Sequence, residues 1–140
     1  MKDVTFYNTT RLDKTTEEFV NNPNHKAAGA LTKINDKDYV EILRKVVPNK
    51  LNLTIPFYDE ALTREETEGL LKEFDIYITN FLANRQKGIT RQGEILFKGK
   101  IVKNHRDEIE VRRIIRTYNL LEECLKENKP VYLSITEEEN

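Results

Sequence analysis

TREETEGLLKEFDIYITNFLANRQKG, residues 63–88, is the stretch on which the fold turns. Leu70, Leu71, Phe74, Tyr77, Ile78, Phe81 and Leu82 recur at steps of three and four, the period that lines one face of an α-helix. Thr63 and Glu66 stand three apart as a capping box, in which each side chain satisfies a backbone N–H at the helix start. Gly88 follows Lys87 and is suited to the left-handed position that closes a last turn, so the spacing predicts a helix over 63–87. One apolar stripe on an otherwise charged helix must be covered by another element.

The cover is sought outward from there. A second periodic run over 106–127 places Ile109, Ile114, Ile115, Tyr118, Leu121 and Leu125 along a stripe, and Asn128 and Pro130 stop it. Alternation predicts strands at 4–8, 51–57 and 131–135, with 94–103 a strand or a hairpin pivoting at Gly99. Residues 39–47 suit both periods and are read as a helix stopped by Pro48. A Thr15–Glu18 capping box marks a short polar helix over 15–20, and 27–34 stays ambiguous. The expected fold is therefore α+β: one mixed sheet of about four or five short strands packed against the two long amphipathic helices. Residues 1–136 are expected to form a single domain, with 137–140 an acidic frayed tail.

The chain has 140 residues, enough for one core, and 34% of them are charged. Lys and Arg number 23 against 24 acids, so overall repulsion does not oppose compaction. No apolar run approaches the ~20 residues of a bilayer span, and the opening Met1-Lys2-Asp3 leads into no apolar signal core. Cys124 is the only cysteine, which excludes an intrachain disulfide and a cysteine zinc cage. These features predict a cytoplasmic protein of bacterial or phage-like type (in the host cytoplasm if phage-encoded), with no membrane partner.

Charge is unevenly spread. Arg85, Lys87, Arg91, Lys98, Lys100, Lys103, Arg106, Arg112, Arg113 and Arg116 face only four acids in their window, Glu94, Asp107, Glu108 and Glu110. The segment after Arg116 is acidic in turn. On a helix from 106, Arg106, Arg113 and Arg116 share a face and Arg112 widens it, while Lys98 and Lys100 fall on one side of a strand. Arginine suits bidentate phosphate contact, lysine adds point charge, and Gly88, Gly93 and Gly99 permit close backbone approach. The plain alternative is a solvated face kept soluble by Glu108–Arg112 and Glu110–Arg113 pairs.

Catalytic patterns are weak. His25 and His105 are far apart in sequence; His105 can donate to an anion from within the basic window. Asp36 with Asp38, or Asp59 with Glu60, can hold a divalent ion, but turn and cap roles explain them more simply. Cys124 sits among Glu122, Glu123 and Glu127 near a helix end, where a thiolate is disfavoured. Tyr7, Tyr39, Tyr58, Tyr118 and Tyr132 are candidates to stack on bases.

The sequence thus points to a small non-enzymatic binding protein, regulatory or inhibitory, without cofactor or metal. Its ligand-binding face comprises Arg85, Arg91, Lys98, Lys100, Lys103, His105, Arg106, Arg112, Arg113 and Arg116, and its ligand is phosphate-bearing, a nucleic acid or a nucleotide. The alternative is a protein–protein inhibitor or assembly factor docking on an acidic partner protein; self-association is compatible with either. A metal-dependent phosphate-bond enzyme ranks third.

Overall fold

The computed structural model describes residues 2–7, 27–32, 37–50 and 61–137. The elements are β1 (Lys2–Tyr7), β2 (Ala27–Thr32), α1 (Lys37–Val46), a 3-10 turn (Pro48–Lys50), α2 (Arg64–Asn84), β3 (Gly93–Phe97), β4 (Lys100–Asn104), α3 (Ile109–Lys126) and β5 (Tyr132–Glu137). The helix expected at 15–20 and the strand expected at 51–57 lie outside the described residues.

The expected single mixed sheet is not what forms. The described strands make two separate sheets, one of order β2-β1-β5 and one of β3-β4, and every pairing is antiparallel. Among the described residues three helices accompany them, the two long ones and the shorter one read at 39–47, which also packs on the core. The reason for the split lies in the 93–104 segment, which closes on itself. Lys98 (φ 51) and Gly99 (φ 78) are both left-handed, the two-residue turn whose twist matches a hairpin. Side chains then occupy the hairpin's flanks: Asn119 Nδ2 donates to Leu96 O at 2.8 Å and Arg85 Nη1 to Lys103 O at 2.7 Å.

In the larger sheet, Phe6 of β1 lies opposite Leu133 of β5, and both are fully buried. Packing between α2 and α3, and of α3 on β2, completes the core. The two stripes meet as the periodicity requires: Leu70, Phe74 and Ile78 are buried with Ile114, Tyr118 and Leu121, while Phe81 is only partly covered. The third helix, α1, adds Leu43, and Val47 just beyond its end is buried beside it.

The helix ends differ from expectation in ways that shape the site. Thr63 and Glu66 form the capping box, with Glu66 N–H donating to Thr63 Oγ1 at 3.0 Å and Thr63 N–H to Glu66 Oε1 at 2.9 Å. Burial pushes the Glu66 carboxyl upward, but the Thr63 N–H and the Lys50 ammonium at 3.0 Å outweigh it and hold it below the usual range. α2 stops at Asn84 rather than residue 87, because Arg85 turns extended and sends its guanidinium to β4; Gly88 (φ 83) lies beyond in the loop. α3 starts at Ile109, three residues later than expected, so Arg106 sits in a turn before the helix and does not stack with Arg113 and Arg116.

At its other end, Asn128 (φ 55) and the Lys129 N–H to Cys124 O bond at 2.8 Å close α3 as a Schellman motif. The Leu62 N–H to Val131 O bond, 2.8 Å, ties the entry of α2 to the entry of β5. β5 extends to Glu137, opposite Lys2, one residue into the expected acidic tail.

Candidate functional site

Glu108 organises the region where the basic residues gather. It accepts from Arg91 Nε at 2.9 Å and from the His105 backbone N–H at 2.6 Å, with Arg85 Nη1 at 4.0 Å. Burial pushes its carboxyl up, yet the His105 N–H and the two guanidinium groups prevail and hold it below the ordinary range. The helical-spacing pair between Glu108 and Arg112 therefore does not form, since the carboxylate turns back towards Arg91. Arg91 also donates to Gln86 O at 2.7 Å, which fixes the 86–91 loop to the turn before α3.

That turn borders a cleft of about 420 Å³ lined by Thr90, Gln92, Gly93, Asn104, His105, Arg106 and Arg112. Each element contributes by position. Gly93 opens β3 and faces Asn104 at the end of β4; a Cβ on Gly93 would fall 2.7 Å from Asn104 Oδ1. Arg112 comes from the first turn of α3. His105 Nδ1 accepts the Asp107 N–H at 3.1 Å, so the neutral ring carries its proton on Nε2 as a donor.

Two polar atoms here are buried without a partner among the described residues: Asn104 Oδ1 and Arg112 Nε. Asn104 is 4% exposed. A buried polar group left without a hydrogen bond costs about 1–3 kcal/mol, which sets these two atoms apart from the paired groups around them.

The structure divides the ten residues of the sequence-derived face. Arg85 and Arg91 belong to the Glu108 network, and Lys98 pairs with Asp75 at 2.9 Å near the hairpin turn. His105, Arg106 and Arg112 meet at the cleft. Lys100 and Lys103 lie on the exposed hairpin, and Arg113 and Arg116 continue along α3 outside the cleft. Arg106 is 88% exposed and lies 3.8 Å from an equally open Asp107, a pairing worth little.

Of the other candidates, Asp38 is exposed at the start of α1, and the described residues hold no cluster of three or more metal-ligating side chains. His25, Asp36, Tyr58, Asp59 and Glu60 lie outside the described residues. Tyr118 is not available for base stacking: it is buried with its ring edge-on to Phe97, centroids 5.1 Å apart. Cys124 is buried in α3. No helix among the described residues is long and apolar enough to cross a membrane.

Asn104 and Glu108 carry much of this site and were not singled out by sequence reasoning. Asn104 becomes visible only through the β3–β4 register that sets it on Gly93. Glu108 counts merely as an offsetting acid until Arg91, 17 residues away, is seen on it. No protein-family model, curated protein or solved structure matches the chain, so the site is read from its own geometry.

Proposed function

We propose that this protein is a small binding protein, regulatory or inhibitory in role, that takes a phosphate-bearing ligand on the basic face within 85–116. The observation that supports this most is where cation charge is left over. Arg85, Arg91 and Lys98 face internal carboxylates, whereas Arg112 makes no side-chain hydrogen bond or ion pair among the described residues and lines the cleft beside Arg106. A half-covered guanidinium without a carboxylate is matched by a phosphate, which accepts its fork of donors.

The test is a titration of the full chain with a nucleotide and with an oligonucleotide at three salt concentrations, wild type against Arg106→Gln/Arg112→Gln. The double variant is expected to lose binding by an order of magnitude or more. If the ligand is duplex DNA, the log–log salt slope falls by roughly two units as two phosphate contacts are lost. Equal binding by both proteins would overturn the assignment.

A second reading, docking on an acidic protein, draws on the outer face of the hairpin. Leu96 and Ile101 pair across the strands at 57% and 63% exposure, with Lys103 on the same face opposite Glu94. The same titration separates the two, because a purely protein-binding surface has affinity for neither anion.

A further inference from the structure

The phosphate-ligand reading leaves Asn104 without a task. A bare anion is served by Arg106 and Arg112 alone, and an acceptor such as Asn104 Oδ1 would repel it. Yet the side chain is 4% exposed and held at the cleft by its place at the end of β4, with Oδ1 unpartnered. Gly93 matters here, because any side chain at that position would strike Asn104 Oδ1. Oδ1 itself occupies the space that glycine leaves and has no open surface there, so a ligand in the cleft meets both amide groups only when the side chain turns outward from Gly93.

An amide that offers a donor and an acceptor side by side reads the matching edge of a nucleobase, adenine above all. Thr90 and Gln92, on the same rim, supply further uncharged hydrogen-bonding groups. The cleft's 420 Å³ falls in the range of small-ligand pockets and suits one nucleotide. We infer that this cleft is a mononucleotide site in which Arg106 and Arg112 hold the phosphate and Asn104 reads the base. The inference rests on the phosphate-ligand reading and narrows it to a small nucleotide with base selection by Asn104.

The experiment is calorimetric titration of the full chain at low salt with inorganic phosphate, ribose 5-phosphate and AMP, repeated with Asn104→Val. AMP should bind one per chain and about tenfold or more tighter than ribose 5-phosphate, the discrimination expected of one good bidentate base contact. Asn104→Val should bring AMP down to the level of ribose 5-phosphate without weakening the latter and without lowering Tm, since an unpaired buried acceptor is removed. Should that variant fail to fold, the wild-type Asn104 side-chain amide resonance supplies the readout: it should shift with AMP and stay in place with phosphate.

Equal affinity for AMP, ribose 5-phosphate and phosphate would overturn base reading and leave the phosphate-ligand reading standing. Binding of an oligonucleotide with no saturation by AMP would do the same. Binding of none of these anions, oligonucleotide included, would overturn both.

Discussion

Replacing Glu108 with Gln preserves the shape of the side chain and removes the charge that joins three parts of the chain. The wild-type carboxylate accepts from Arg91 Nε at 2.9 Å and from the His105 N–H at 2.6 Å. Both members of the ion pair are well covered, at 11% and 13% exposure, so solvent does little to replace what is lost. Hydrogen bonds to charged groups are worth about 1.5–3 kcal/mol each. With one lost and the other weakened, Glu108→Gln should cost about 2–3 kcal/mol at neutral pH, a fall in Tm of roughly 5–10 °C for a chain of this size.

The pH dependence supplies a second readout. The folded carboxyl titrates below its unfolded value near 4.3, so its contribution is complete above that pH and disappears as pH falls through the folded value. Urea unfolding followed by circular dichroism at pH 7, 5 and 3 should show a gap between wild type and variant that is nearly constant from 7 to 5 and narrower at 3. Equal stability at pH 7, or a gap that persists unchanged at pH 3, would refute the role given to Glu108.

Two further outcomes test the core. Phe74 is fully buried where α2 meets α3, so Phe74→Ala should cost about 3–5 kcal/mol; melting within a degree or two of wild type would contradict that packing. Burial, with Glu122 and Asp75 nearby, pushes the Tyr118 phenol up to about 12. A raised phenol favours the fold below its unfolded value near 10 and loses that contribution as pH rises towards 12, so Tyr118→Phe should flatten the alkaline loss of stability. Tyrosinate absorbance in the folded protein that shows Tyr118 ionising near 10 would oppose this.

The helices were legible because their information is local. Thr63 and Glu66 form the expected capping box, Asn128 ends α3, and the stripes at Phe74 and Ile114 face each other as their period requires. The sheet arrangement was not legible, since periodicity places residues on a face but names no strand partner. Nothing in the spacing of 93–104 says that this hairpin is flanked by Asn119 and Arg85 instead of another strand. The basic window was visible as charge, but its division was not. Which arginine meets Glu108 depends on a loop from 85 to 92 that carries no periodic signal. Arg106 was misplaced for a related reason: a helix reading extends backwards until a breaker appears, and here a hydrogen bond from Glu108 N–H to His105 O ends it without Gly or Pro.

The two side-chain bonds on the hairpin have a consequence for colloidal behaviour. With a two-residue turn, Phe97 and Lys100 form the hydrogen-bonded pair, so Leu96 and Lys103 direct their carbonyls away from the partner strand. Those outward carbonyls are the ones taken by Asn119 and Arg85. A foreign strand seeking to extend the ribbon from either side meets an acceptor already engaged, and must displace an asparagine or an arginine to add itself. An isolated hairpin with exposed Leu96 and Ile101 would ordinarily be a template for aggregation. Here the exposed apolar surface lies on the hairpin's open face and not at these two rim positions, so contacts made there would be between side chains, without the backbone zippering that makes fibrils persist.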